Sequence, residues 1–150
     1  YTGLVNQLHL TDDELAVVLG HEMSHALREH SREQVSHAMA AQTAIGLGAA
    51  LLGLGQGSAQ LANVGYDALI ATRFSRTDEN EADRMGLELT ARAGYDPHAG
   101  VTLWQKMLSA NSGSHPPAFL SSHPTDSSRL QTIQALLPTV TPLYQASRRR

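Results

Sequence analysis

Two histidines four residues apart, with a carboxylate directly after the first, constrain this chain more than any other feature: His21-Glu22-Met23-Ser24-His25. Four residues turn a helix through about 400°, so both imidazoles fall on one face, one turn apart, where they can share a metal ion. Glu22 then borders the open side of that ion. The spacing works only on a helix, and the sequence supplies one. Thr11-Asp12-Asp13-Glu14 reads as a capping box, followed by Leu15, Val18 and Leu19 at helical spacing. A water molecule on zinc has its pKa lowered to about 7, and a neighbouring carboxylate can take the proton, which is the chemistry of metal-assisted peptide hydrolysis.

Composition narrows the alternatives. The chain has 150 residues, a formal net charge of -3 and no cysteine. That length suits one domain, residues 1–150, with a modest core. The charge gives no reason to expect nucleic acid, and the basic cluster Arg148-Arg149-Arg150 reads as a solvated tail. Without thiolates, any metal must be held by histidine and carboxylate. Opening at Tyr1, with no initiator Met and no hydrophobic leader, the chain reads as a processed or trimmed fragment. Residues 44–54 are apolar but too few to span a membrane, which takes about 20.

Residues 12 to about 40 read as one long helix, with alanines at its far end and no proline to stop it. Gly46, Gly48, Gly53, Gly55 and Gly57 make residues 44–58 either a closely packed small-residue helix or a loop over the site. Another helix starts near Ser75 to Thr77, with Asp78 and Glu79 in its first turn, and runs to about Ala93, where Gly94 ends it. After the turn Tyr95-Asp96-Pro97, a helix over about 98–110 presents Val101, Trp104 and Leu108 as a core stripe. A proline-rich loop over 111–124 leads to a last helix, Thr125 to Leu137, with Leu130, Ile133 and Leu137 facing inward. No strand is expected; the fold class is mainly α.

Two histidines leave a catalytic zinc one protein ligand short, and His30, Glu79, Glu81, His98, His115 and His123 are the candidates. The metzincin pattern requires a glycine at 28 and a third histidine at 31, where this chain has Arg28 and Ser31. On a continuous helix His30 lies about 140° from His25, which assigns it a structural role facing elsewhere. Glu79 and Asp83 share a helical face, so one carboxylate can ligate while the other supports it, with Glu81 as the rival ligand. Gly86 and Thr90 continue that face and are small, letting this helix approach the His21 helix closely.

Three motifs in order then resemble a known family: Gly20-His21-Glu22-Met23-Ser24-His25 with His30, Phe74-Ser75-Arg76 before Glu79-Asn80-Glu81-Ala82-Asp83, and Ser122-His123-Pro124 with Arg129. They look like the gluzincin metallopeptidase family of HtpX, the CaaX prenyl endopeptidase, mitochondrial Oma and the periplasmic BepA and LoiP proteases. The resemblance implies a zincin-type catalytic domain, here as a fragment lacking most of the small N-terminal sheet. It implies one zinc ion per chain on His21, His25 and Glu79, with Glu22 activating water and Asp83 hydrogen-bonding a ligand histidine. In such proteins the histidine of the Ser-His-Pro element approaches the metal, either stabilising the transition state or filling the open position and silencing the enzyme. His123 takes that role rather than His115, and Arg129 is expected to buttress the loop or pair with a carboxylate near the site. Without a spanning segment the chain is most similar to the BepA and LoiP branch. That branch implies the bacterial periplasm, misfolded or stalled envelope polypeptides as substrates, and outer-membrane assembly machinery as partner. A zinc-containing chaperone-like module, its metal plugged by a loop histidine, is the alternative.

Overall fold

Hydroxyl caps start the two helices that meet at the centre of the molecule. The computed structural model describes residues 2–55, 57, 60, 73–113 and 115–149. Residues 56 and 58 of the glycine-rich stretch, Ser114 of the first Ser-His-Pro element and Arg150 of the basic tail lie outside the described residues. In chain order the helices are α1 (Thr2–Leu8), α2 (Asp12–Leu27), α3 (His30–Leu51), α4 (Arg76–Arg92), α5 (Ala99–Asn111), α6 (Phe119–Ser122) and α7 (Ser127–Ser147). No strand occurs among the described residues, in keeping with the mainly α expectation.

Thr11 caps α2 and Ser75 caps α4, each with a reciprocal capping box closed by Glu14 and Asp78 respectively. Each box satisfies backbone N–H groups that a helix start otherwise leaves unpaired. The two helices then cross at Gly20 and Gly86. A Cβ on Gly86 would stand 2.7 Å from the His21 backbone nitrogen, and one on Gly20 would stand 2.6 Å from the Gly86 carbonyl oxygen. Only glycine permits that approach. Thr90 Oγ1 donates to Gly86 O at 2.8 Å and reaches Ala16 O across the crossing at 3.2 Å. The close contact expected from Gly86 and Thr90 is therefore present.

Helices α5 and α7 complete the core around this crossing. Leu103, Trp104 and Met107 of α5 are fully buried with Leu87, Phe119 and Ile133, each contributing about 1.5–3 kcal/mol on burial. Leu130 and Leu137 pack partly buried against the same cluster.

Several sequence expectations are corrected. The long helix over 12–40 is two helices: α2 ends at Leu27 and Glu29 takes a left-handed conformation, φ 57°, before α3 begins. The stripe on α5 is Gly100, Leu103, Trp104 and Met107; Val101 and Leu108 are only half-buried. Of the apolar residues at helical spacing, Val18 is buried and Leu19 exposed, and Val17 is buried beside it. The 44–51 stretch is helical but not closely packed: Gly46 and Gly48 have nothing within 4 Å of a built Cβ. The last helix continues past Leu137 to Ser147, through Pro138 and Pro142. Both prolines are exposed and four residues apart, so the carbonyls that lose a helical donor lie on the solvent side.

Candidate metal centre

The α2–α4 crossing presses the histidine face of one helix against the carboxylate face of the other. His21, His25 and Glu79, together with His123 from the segment after α6, are all buried, and one donor atom from each lies within 4.8 Å of the others. His25 Nε2 stands 3.1 Å from His21 Nε2 and 3.4 Å from Glu79 Oε1. His123 Nδ1 stands 3.2 Å from His21 Nε2 and 2.9 Å from Glu79 Oε1. A tetrahedral zinc with bonds near 2.0–2.1 Å sets its donors roughly 3.4 Å apart, so these spacings fit the ion. The donors are hard and borderline nitrogen and oxygen atoms, as the cysteine-free sequence requires. Glu22 Oε1 is buried at the edge of the set, 3.3 Å from His123 Nε2 and without a hydrogen-bond partner among the described residues.

The surrounding shell fixes these donors. Asp83 Oδ1 lies 2.9 Å from His21 Nδ1, which leaves His21 Nε2 free to face the centre. Arg129 grips Asp83 with two hydrogen bonds, Nε to Oδ2 at 2.9 Å and Nη2 to Oδ1 at 2.7 Å. Its Nη1 donates to Pro124 O at 2.7 Å and also contacts Glu79 Oε2, while the guanidinium carbon sits 4.8 Å from the Trp104 ring centroid. Arg129 therefore contacts both the loop carbonyl and the carboxylates, and at 5 % exposure it is not a surface arginine. His123 is stacked on Phe119, ring centroids 4.3 Å apart and 14° from parallel.

Burial pushes the His21 imidazole below its ordinary pKa, against the opposing pull of Asp83 and Glu79, and so favours the neutral form that can bind a metal. Burial also works against the charge of Glu79. Its contacts with the His123 and His25 rings and with the Arg129 guanidinium outweigh it, holding the carboxyl well below the usual range.

Of the other candidate ligands, Glu81 faces Arg28 and His30 rather than the donor set. His98 is exposed and bonded to Asp96, and His115 is exposed. His30 does not face elsewhere. Because the chain turns at Glu29, the ring comes back beneath His25, with Nδ1 3.0 Å from His25 Nδ1. No local signal in the sequence marks this contact, because five residues on an unbroken helix would carry His30 away from His25.

Comparison with known proteins agrees with this geometry. Residues 1–137 match the family model described as Peptidase family M48. The chain is 40 % identical over 129 residues to the mitochondrial metalloendopeptidase OMA1 of Schizosaccharomyces pombe, covering 85 % of this chain and 37 % of that protein. It is 36 % identical over 152 residues to mitochondrial OMA1 of Bos taurus, covering 92 % and 28 %. It is 35 % identical over 128 residues to the beta-barrel assembly-enhancing protease of Escherichia coli K12, covering 79 % and 26 %. The chain thus spans well under half the length of these relatives.

Proposed function

The chain belongs to peptidase family M48, and from that premise we propose that it is the catalytic part of a zinc metalloendopeptidase acting on polypeptides. One observation carries the reading: a buried set of His21, His25 and Glu79 with the Glu22 carboxylate at its edge. Those three residues would hold zinc, which when bound supplies Lewis acidity toward a carbonyl oxygen and lowers the pKa of a water molecule to about 7. Glu22 accepts the proton of the attacking water and passes it to the leaving amine. Asp83 fixes the His21 ring, and Arg129 holds Asp83 in place. His123, with one ring nitrogen among the donors and the other beside Glu22, stabilises the developing oxyanion.

Elemental analysis tests the ligand set. Wild type purified without added metal should carry one zinc per chain and Glu79→Ala little or none. Zinc unchanged in that variant would move the third ligand elsewhere, and iron in place of zinc would change the chemistry, since two histidines and a carboxylate also suit non-haem iron. Glu22→Gln should retain zinc and lose cleavage.

The position of His123 also favours a second reading, in which it is a fourth ligand that plugs the site of a chaperone-like module. His123→Ala separates the two: gain of proteolysis marks a plug, loss marks an electrophile. For substrate, the beta-barrel assembly-enhancing relative supports stalled or misfolded envelope proteins, with outer-membrane assembly machinery as partner and the periplasm as location. The mitochondrial relatives support a mitochondrial setting instead. Among the described residues no helix is long and apolar enough to cross a membrane. Preferential digestion of an unfolded β-barrel protein over an unfolded soluble control would support the envelope assignment; equal digestion would remove it.

A further inference from the structure

His21 and His25 occupy equivalent places on one helix face, yet their outer ring nitrogens meet different partners. His21 Nδ1 meets a carboxylate, Asp83. His25 Nδ1 meets another imidazole, His30 Nδ1, at 3.0 Å. Two ring nitrogens at that distance share one hydrogen, so one must donate and the other accept. His25 Nε2 faces the donor set, and to offer a lone pair there it must carry its hydrogen on Nδ1. That assignment makes His30 Nδ1 the acceptor and places the His30 hydrogen on Nε2, which lies 3.2 Å from Glu81 Oε2. The other Glu81 oxygen is held by Arg28. Donation then runs one way, from His25 to His30 to Glu81.

We propose that His30 is a positioning residue for the metal site, orienting and fixing the tautomer of His25 as the middle member of a His25–His30–Glu81 relay. The proposal rests on the zinc-ligand reading of His25. The backbone gives it independent weight. A continuous helix would carry His30 away from His25, and instead Glu29 adopts a left-handed conformation that a residue with a Cβ rarely takes. The turn delivers one buried side chain, His30, which is 3 % exposed and the only buried residue of α3. Such outer partners of ligand histidines are worth about 10–100-fold in metal affinity when removed.

The test measures zinc affinity by competition with a chromogenic chelator, on the folded chain, with metal-free thermal midpoints recorded alongside. His30→Phe keeps a flat ring and removes the acceptor, and should weaken zinc binding about 10–100-fold. His30→Asn places an amide oxygen near the Nδ1 position and should recover most of that loss. Glu81→Gln should weaken binding several-fold without lowering the midpoint, because that side chain is 31 % exposed. Wild-type affinity in His30→Phe overturns the proposal, as does His30→Asn binding no better than His30→Phe. Should the His30 variants fail to fold, Glu81→Gln decides: weakened binding supports the relay and unchanged binding overturns it. Failure of the wild type to bind zinc would instead sink the underlying metal reading.

Discussion

Helices α2 and α3 are separated only by Arg28 and Glu29, yet α2 buries seven of its residues and α3 buries one. Helix α2 buries glycine, serine and two histidines against α4 and leaves Leu19, Met23 and Leu27 in solvent. Helix α3 is rich in apolar side chains, yet Val35, Met39, Leu47 and Leu51 are exposed. The difference teaches that burial here follows backbone fit and paired charge as well as hydropathy. A polar face is buried because Gly20 and Gly86 let it approach its partners, and an apolar face stays open where no such partner is packed among the described residues.

Substitutions on the two sides sharpen that contrast. The largest effect is expected for Asp83→Ala, which leaves the buried Arg129 guanidinium without its two-bond partner and should cost about 3–5 kcal/mol in denaturant unfolding. A cost near zero would mean that Glu79 and the Pro124 carbonyl suffice to hold Arg129. Next, Gly86→Ala drives a Cβ into the His21 backbone nitrogen and should cost about 1–3 kcal/mol, read as a lower thermal midpoint.

A smaller effect lies at the start of α2. Glu14 is buried, which raises its pKa, but hydrogen bonds from Lys106, the Thr11 backbone and Thr102 hold it below the ordinary range. A depressed carboxylate pKa stabilises the fold above the unfolded value, about 4.3, and that contribution is lost as pH falls through the folded value. Lys106→Met should therefore remove about 1 kcal/mol at neutral pH and flatten the acid dependence of stability, measured in chelator so that metal release does not contribute. Smallest of all, Met39→Ser or Leu47→Ser on α3 should stay within about 0.5 kcal/mol. A cost matching Gly86→Ala would show that α3 is covered in solution and would break the comparison.

What the sequence disclosed divides along the same line. Thr11 with Glu14, and Ser75 at the head of α4, were legible because capping chemistry is local. The grouping of Glu79 and Asp83, and the small face at Gly86, followed from helical spacing. The turn at Glu29 was not legible, because neither glycine nor proline marks it and its reason lies in the contact it allows His30. The run of α7 through Pro138 and Pro142 was hidden for the opposite reason: proline signals a stop, but on an exposed face the carbonyls that lose a helical donor stay open to solvent.

Arg129 carries a kinetic consequence. It joins Asp83, 46 residues earlier, to the Pro124 carbonyl beside His123, while His123 itself meets His21 across 102 residues. Closing loops of that length has an entropic cost that only late, mutually supporting contacts can offset. The paired histidines of α2 can therefore form early, but the four-donor cage exists only once the final helix has docked. An ion held on His21, His25 and Glu79 would need α4 docked on α2 first, with His123 joining only when the segment before α7 has closed.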